Sequence, residues 1–198
     1  MDALCSLLRK GCIERLQFHV CAAIPEKIQA LLRDISSCVK SLELFWMDEL
    51  LMGPFPENTE VTVYVNPATR CENMIVLNPT ALDFSGQVFC YQYLRHYAQC
   101  PSECRLRRLR HCGGKFRELV DFLKQYHHLG VISIVNVSED FFSALALSKN
   151  LRKLDLLHTR CRNGILCDFF RNSRSIESLG LYSNFNAEVA AELLSFCP

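Results

Sequence analysis

Leu151-x-x-Leu154-x-Leu156-x-x-Thr159 recurs 25 residues later as Ile176-x-x-Leu179-x-Leu181-x-x-Asn184, and this internal repeat constrains the fold more than any other feature of the chain. All four positions move together, and Leu166 and Phe169 fall on Ala191 and Leu194 at the same offset. Going back 22 residues gives Leu129-x-x-Ile132-x-Ile134-x-x-Val137, and a further 23 gives the weaker Leu106-x-x-Leu109-x-His111. The start of the chain carries the same theme. Ile13-x-x-Leu16-x-Phe18-x-x-Cys21 and Val39-x-x-Leu42-x-Leu44-x-x-Met47 are offset by 26. Apolar alternation over a few residues marks a short strand with one buried face. Between copies the spacing turns helical, as in Ile28, Leu31, Leu32 and Ile35 after Pro25, where a proline in the first turn costs little. One such unit cannot bury its own apolar face, but stacked neighbours can.

At a period of 22–26 residues, with helices between strands, the pattern resembles the leucine-rich repeat superfamily, in its irregular ribonuclease-inhibitor-like and F-box-associated types. The resemblance covers residues 13–48 and 104–198. It implies an α/β leucine-rich-repeat solenoid of about seven irregular repeats, with a curved parallel sheet on the concave face and helices on the convex face. Strands are expected near 14–18, 40–44, 74–77, 107–111, 131–135, 153–157 and 178–182.

Residues 49–100 break the period. Gly53-Pro54-Phe55-Pro56-Glu57-Asn58 reads as a loop. Val61, Val63 and Val65 alternate as a strand, and Met74–Leu77 forms another, ended by Asn78-Pro79. If Met74 and Val76 fill the repeat strand, an irregular insertion spans about 52–70, and Val61–Val65 pairs outside the regular sheet or at its edge. Residues 86–98, with Val88, Phe89, Tyr91, Tyr93, Leu94 and Tyr97, then form a covering helix. The chain reads as one domain over 1–198, because a two-repeat piece has little core of its own. A division into an N-terminal repeat pair and a C-terminal array is the alternative.

Alternate strand positions would form the concave binding face. The candidate partner contacts there are Glu43, Phe45, Arg108, Arg110, Lys153, Asp155, Leu157, Ser178 and Tyr182, alongside Arg15, Gln17, His19, Ser41 and Ser133. Arg and Tyr are favoured anchors at protein interfaces. The reading is therefore a non-enzymatic protein-interaction module with a protein partner. The resemblance adds substrate recognition for a ubiquitin ligase, by fold analogy alone. Nucleic-acid binding through the basic strand Arg105–Arg110 is the alternative, although the net charge of +1 gives no global pull toward phosphate.

No catalytic residue, cofactor site or metal site is assigned. The chain has eight glycines and no Gly-x-Ser-x-Gly, phosphate loop or His-Glu-x-x-His. Cys100, Cys104, His111 and Cys112 have a spacing that fits no zinc ligand pattern. His127 and His128, following the helical run Phe116, Leu119, Val120 and Leu123, read as partners of a helix C-terminus. Leu8-x-x-x-Cys12-x-x-x-Leu16 resembles the helical box by which some ubiquitin-ligase receptors hold elongin, but the repeat register makes Leu16 a strand residue. Twelve cysteines without a Cys-x-x-Cys pair read as reduced thiols serving as small hydrophobes, with Cys21, Cys38, Cys90, Cys112, Cys161 and Cys167 at apolar positions. Reduced thiols, no signal-peptide pattern and no apolar run of about 18 residues place the expected protein in the cytoplasm, with the nucleus as an alternative, and off the membrane. The last pattern, Val189, Leu193, Leu194 and Phe196, has no polar capping unit after it, so self-association through the C-terminal repeat is a further expectation.

Overall fold

The computed structural model describes residues 6–7, 10–11, 13–19, 30, 34–45, 55–64, 78–84, 94, 97, 99, 104–113, 117–158, 163–182 and 187–195. Two compact units divide the chain: residues 1–93 with 103–106, and residues 94–102 with 107–198.

Among the described residues, unit 1 contains four parallel strands, β1 (Arg15–His19), β2 (Ser41–Phe45), β3 (Glu60–Tyr64) and β4 (Ala81–Asp83), paired in chain order. Leu42 and Leu44 of β2, Val61 and Val63 of β3 and Leu82 of β4 are buried and share the inward side, as their register requires. Here the structure corrects the sequence reading. The Val61–Val65 alternation does not sit outside the regular sheet; Glu60–Tyr64 is a full strand between β2 and β4. The reason is a change of step. Leu42 pairs with Val61 and Val63 with Leu82, so each neighbour lies 19 residues on, shorter than the 22–26 of the flanking repeats. The expected strand at 74–77 lies outside the described residues, and β4 comes after Asn78-Pro79. Thr80 substitutes for a ladder residue there, its Oγ1 accepting from Val61 N at 2.8 Å and donating to Val61 O at 3.0 Å.

Residues 55–59, the approach to β3, are held from two sides. Thr59 Oγ1 donates to Ser36 O at 2.7 Å. The Arg105 guanidinium donates to the carbonyl oxygens of Phe55, Glu57 and Thr59 at 3.1, 2.9 and 3.0 Å, while its own N–H donates to Asn78 Oδ1. Arg105 is therefore not on the basic strand, which begins at Arg108; its planar fork ties down the loop of unit 1.

Unit 2 carries β5 (Arg108–Gly113), α1 (Arg117–Gln125), β6 (Val131–Val135), α2 (Glu139–Leu145), β7 (Lys153–Leu157), α3 (Asn163–Asn172), β8 (Ser178–Tyr182) and α4 (Ala187–Ser195). The four strands pair in parallel in chain order. One backbone motif repeats: Arg107 O accepts from the amides of residues 130 and 131, Gly130 O from 152 and 153, and Arg152 O from 177 and 178. In unit 1, Glu14 O accepts from residues 40 and 41 in the same way. Shared hydrogen bonds at one position per strand are what a true structural repeat demands, because each unit's first carbonyl then sets the height of the next.

The core of unit 2 lies between Leu109, Cys112, Ile132, Ile134, Leu154 and Leu156 from the strands and Leu119, Phe122, Phe141, Phe142, Leu166, Phe169, Phe170 and Leu193 from the helices, all buried. Each helix packs against the next, with the Phe142 and Phe169 rings 5.3 Å apart. Acidic residues open α1 and α2 and basic ones close α1 and α3, in line with the helix dipole. Asn136 and His158, one residue past β6 and β7, take the left-handed conformation (φ 55° and 49°) that turns the chain out of the sheet. Among the described residues β8 is paired on one side only, and its Leu179 and Leu181 are half-buried where their partners Leu154 and Leu156 are buried completely. No helix of the described residues is long and apolar enough to cross a membrane.

A second correction concerns β5. Sequence spacing put His111 at the inward position, but Leu109 pairs with Ile132 and Cys112 with Ile134, so Arg110 and His111 together oppose Ser133. This is a β-bulge, with His111 at φ 53° and exposed while Cys112 takes the core site.

Candidate functional site: the open face of the strands

In each unit the strand positions that point away from the core line up across strands in rows. Those of unit 1 are Arg15–Ser41–Glu60, Gln17–Glu43–Thr62–Ala81 and His19–Phe45–Tyr64–Asp83. Much of this face is already engaged. Arg15 Nη2 donates to Glu43 Oε1 at 2.5 Å and Gln17 Nε2 to Glu43 Oε2 at 2.7 Å, so both carboxylate oxygens have donors. The Glu43 side chain is 9% exposed. His19, Phe45 and Tyr64 form a stacked ladder with centroid spacings of 4.4 and 3.9 Å, both pairs within 9° of parallel. Phe45 is thus sandwiched, with a ring against each of its faces. Sequence reasoning names Glu43 and Phe45 as contacts but misses Tyr64, because the spacing puts Val61–Val65 outside the regular sheet or at its edge.

Unit 2 presents three rows of different chemistry. Arg108–Val131–Lys153–Ser178 is cationic, Ser133–Asp155–Gly180 is small and acidic, and Val135–Leu157–Tyr182 is apolar. Arg110 is exposed at the bulge opposite Ser133. The remaining predicted contacts, Arg108, Arg110, Lys153, Asp155, Leu157, Ser178 and Tyr182, are therefore brought onto one face. Tyr182 is 60% exposed, which is rare among large hydrophobic residues here. Lys153 Nζ lies 3.6 Å from Asp155 Oδ2, too far for a strong charge-assisted hydrogen bond. Val135 and Gly180 were not singled out from sequence; the first was legible as the last strand position of its repeat.

The helical side of unit 2 holds a cavity of about 450 Å³ between α1 and α2, lined by Arg117, Val120, Asp121, Lys124, Ser138, Asp140 and Ser143. Its charges alternate in sign, and Arg117 and Asp121 face each other at 3.7 Å, so it offers no one ligand chemistry. Among the described residues no group of three His, Cys, Asp or Glu side chains is placed to hold a metal ion. Cys104 and Cys112 are buried, and Cys100 lies outside the described residues. Cys167, buried on α3, has its thiol pushed up by burial, with a hydrogen bond to Glu192 and that carboxylate's charge adding to the effect. Such a thiol is a poor nucleophile. Leu16 sits in β1, so the helical box suggested by Leu8, Cys12 and Leu16 does not form as a helix through that residue. His128 follows α1 and rests edge-on against Tyr126 at 5.5 Å.

No protein-family profile and no curated protein matches the chain. A solved structure of the tropomodulin C-terminal domain from Caenorhabditis elegans aligns with it at a TM-score of 0.33 and 10% identity, covering 98% of this chain and 89% of that one. The parallel strands in even register, with one carbonyl per repeat bridging to the next, define an α/β fold of the leucine-rich-repeat-like kind.

Proposed function

We propose that the chain is a non-enzymatic protein-interaction module, and that a partner protein docks on the open strand face of unit 2. The observation that carries this is the Val135–Leu157–Tyr182 row, which ends in an exposed tyrosine two residues along the strands from a charged, polar band. An apolar strip beside separate positive and negative groups suits a folded or extended polypeptide, which can meet all three. Tyr and Arg anchors of this kind dominate interface energetics. Nucleic acid is the second reading, favoured by Arg108, Arg110 and Lys153. Two features weigh against it: the Arg105 guanidinium is committed to backbone carbonyls, and Asp155 puts a carboxylate where a phosphate chain would run. Substrate recognition for a ubiquitin ligase, of the ribonuclease-inhibitor-like or F-box-associated type, is the finer form of the proposal and rests on the repeat resemblance alone.

The test is capture from cell extract by the wild-type chain and by Tyr182→Asp and Arg108→Glu variants. A protein retained by the wild type, released by both variants and insensitive to nuclease is the expected result. Retention that falls by orders of magnitude between roughly 50 and 200 mM salt would instead favour phosphate contacts. Equal retention by wild type and variants would refute this face as the site.

A further inference from the structure

We infer that the corner formed by Asp155, Gly180 and Tyr182 receives a basic side chain, arginine in preference to lysine, from the docked partner; this rests on the reading of unit 2 as a protein-binding face. The strand register sets Asp155 opposite Gly180 and Leu157 opposite Tyr182. Gly180 does not have a left-handed backbone, so conformation does not call for glycine there. Space does. A Cβ at this position would collide with the Asp155 carboxylate oxygen Oδ1 and lie 2.7 Å from Tyr182 Cε2. The missing side chain therefore leaves a space that the Asp155 carboxylate and the edge of the Tyr182 ring both border. An acidic group and an aromatic ring are brought to one point at the surface.

The corner is also underused within the chain. The Asp155 side chain is only 16% exposed, yet among the described residues its one partner is Lys153, at 3.6 Å and itself 46% exposed. A largely buried carboxylate normally collects short hydrogen bonds to offset its lost hydration. This one has capacity left, on Oδ1 in particular. The chemistry that completes it has strong donors for the carboxylate and a flat cation for the ring. A guanidinium provides both, with forked N–H groups for the oxygens and a face that stacks on tyrosine. An ammonium can donate to the carboxylate but has neither the fork that takes both oxygens nor a flat face to stack on the ring. A divalent cation is disfavoured, since it wants several oxygen ligands and among the described residues Asp155 belongs to no group of three ligating side chains. Charge along the face orients the guest: its basic group belongs at the Asp155 row, and any acidic group it carries belongs over Arg108 and Lys153, one row away.

The experiment is an NMR titration of the intact chain with Nα-acetyl-arginine methylamide, read at the Gly180 amide and the Tyr182 ring. The norleucine analogue serves as the uncharged control. The expected result is a saturable shift at both signals with the arginine probe and none with the control. Asp155→Asn, which keeps the shape and removes the charge, should weaken the response about tenfold or more. Tyr182→Leu should weaken it as well, independently of any change at Asp155. No shift, or one that Asp155→Asn leaves unchanged, overturns the inference. A chain that loses its captured partner with Tyr182→Asp but shows no arginine-specific shift loses this corner alone; equal capture by wild type and variants removes the docking face itself.

Discussion

Replacing Arg105 with alanine should destabilise unit 1 without touching the binding face. The guanidinium makes three side-chain hydrogen bonds to carbonyl oxygens, at 3.1, 2.9 and 3.0 Å. A hydrogen bond to a charged group is worth about 1.5–3 kcal/mol net, and the bond to the exposed Glu57 carbonyl is readily replaced by water. The two part-buried bonds, to Phe55 and Thr59, then set the loss at about 2–4 kcal/mol after discounting for their partial exposure. With a urea dependence of about 2 kcal/mol per molar, the middle of the usual range, the midpoint falls by about 1–2 M. Because the chain divides into two compact units, the transition is best followed locally, by amide exchange at Val61 and Val63 of β3, the strand into which residues 55–59 lead. Arg105→Lys should recover less than half of the loss, since an ammonium cannot span three carbonyls. Arg107→Ala, at an exposed site two residues on, should change stability by no more than about 0.5 kcal/mol. A loss below about 0.5 kcal/mol for Arg105→Ala would refute the clamp. So would partner release without destabilisation, which would return Arg105 to the basic surface.

Leu154→Ala, emptying a fully buried site between Ile132 and Leu179, should cost about 2–5 kcal/mol, against about 0.5 or less for Lys153→Ala; equal melting shifts would contradict the register. Native Cys167 should react slowly with a thiol reagent, because burial and Glu192 disfavour its thiolate, while all twelve cysteines should react without reductant once the chain is denatured; a blocked majority would mean disulfides. The Lys40 ammonium, bonded to Glu14 at 2.5 Å, holds that carboxyl below the usual glutamate range. Its folded pKa lies below the unfolded one, so its small contribution is present above ordinary glutamate pH values and is lost as pH falls through the folded pKa. In Lys40→Ala the Glu14 titration, followed by NMR, should rise to the ordinary value; an unchanged midpoint would show that the pair does not form in solution.

The outer repeats were legible because their period survives in sequence. Six of the eight strands among the described residues fall within a residue or two of the positions implied by the spacing, and inward positions such as Leu129, Ile132, Ile134 and Val137 are all buried. The middle was not legible for a geometric reason. A pattern that returns every 22–26 residues is invisible where the step shortens to 19, and Val61–Val63 then looks like an insertion although it continues the sheet. Thr80 hides the next copy, since a hydroxyl that bonds to Val61 occupies the place where an apolar residue would have betrayed the strand. The bulge at Arg110–His111 misled in another way. One extra residue reverses the alternation from that point, exchanging His111 for Cys112 in the core.

For the site, alternation told which side chains share a face but not which are already occupied. Glu43 and Lys153 look alike from sequence, each a charged residue at an outward strand position. In the structure Glu43 is gripped by Arg15 and Gln17, whereas Lys153, among the described residues, reaches only to Asp155, at 3.6 Å. The partners that decide this come from another strand in one case and from the same strand in the other, and no one-dimensional pattern separates them. Gly180 is the sharper example. Read along the chain it is a weak point in a strand, where a missing side chain lowers β-propensity. Read across the sheet it is a gap bounded by Asp155 and Tyr182, residues 25 back and two ahead. The gap exists only because parallel register places residue 180 beside residue 155, and the glycine has meaning only with both neighbours in view. A repeat protein fixes its core by periodicity, so similar residues recur there; its recognition chemistry must lie where the copies differ. Arg108, Val131, Lys153 and Ser178 occupy one row with four different side chains, and Ser133, Asp155 and Gly180 differ again, while the inward rows beneath them stay apolar throughout.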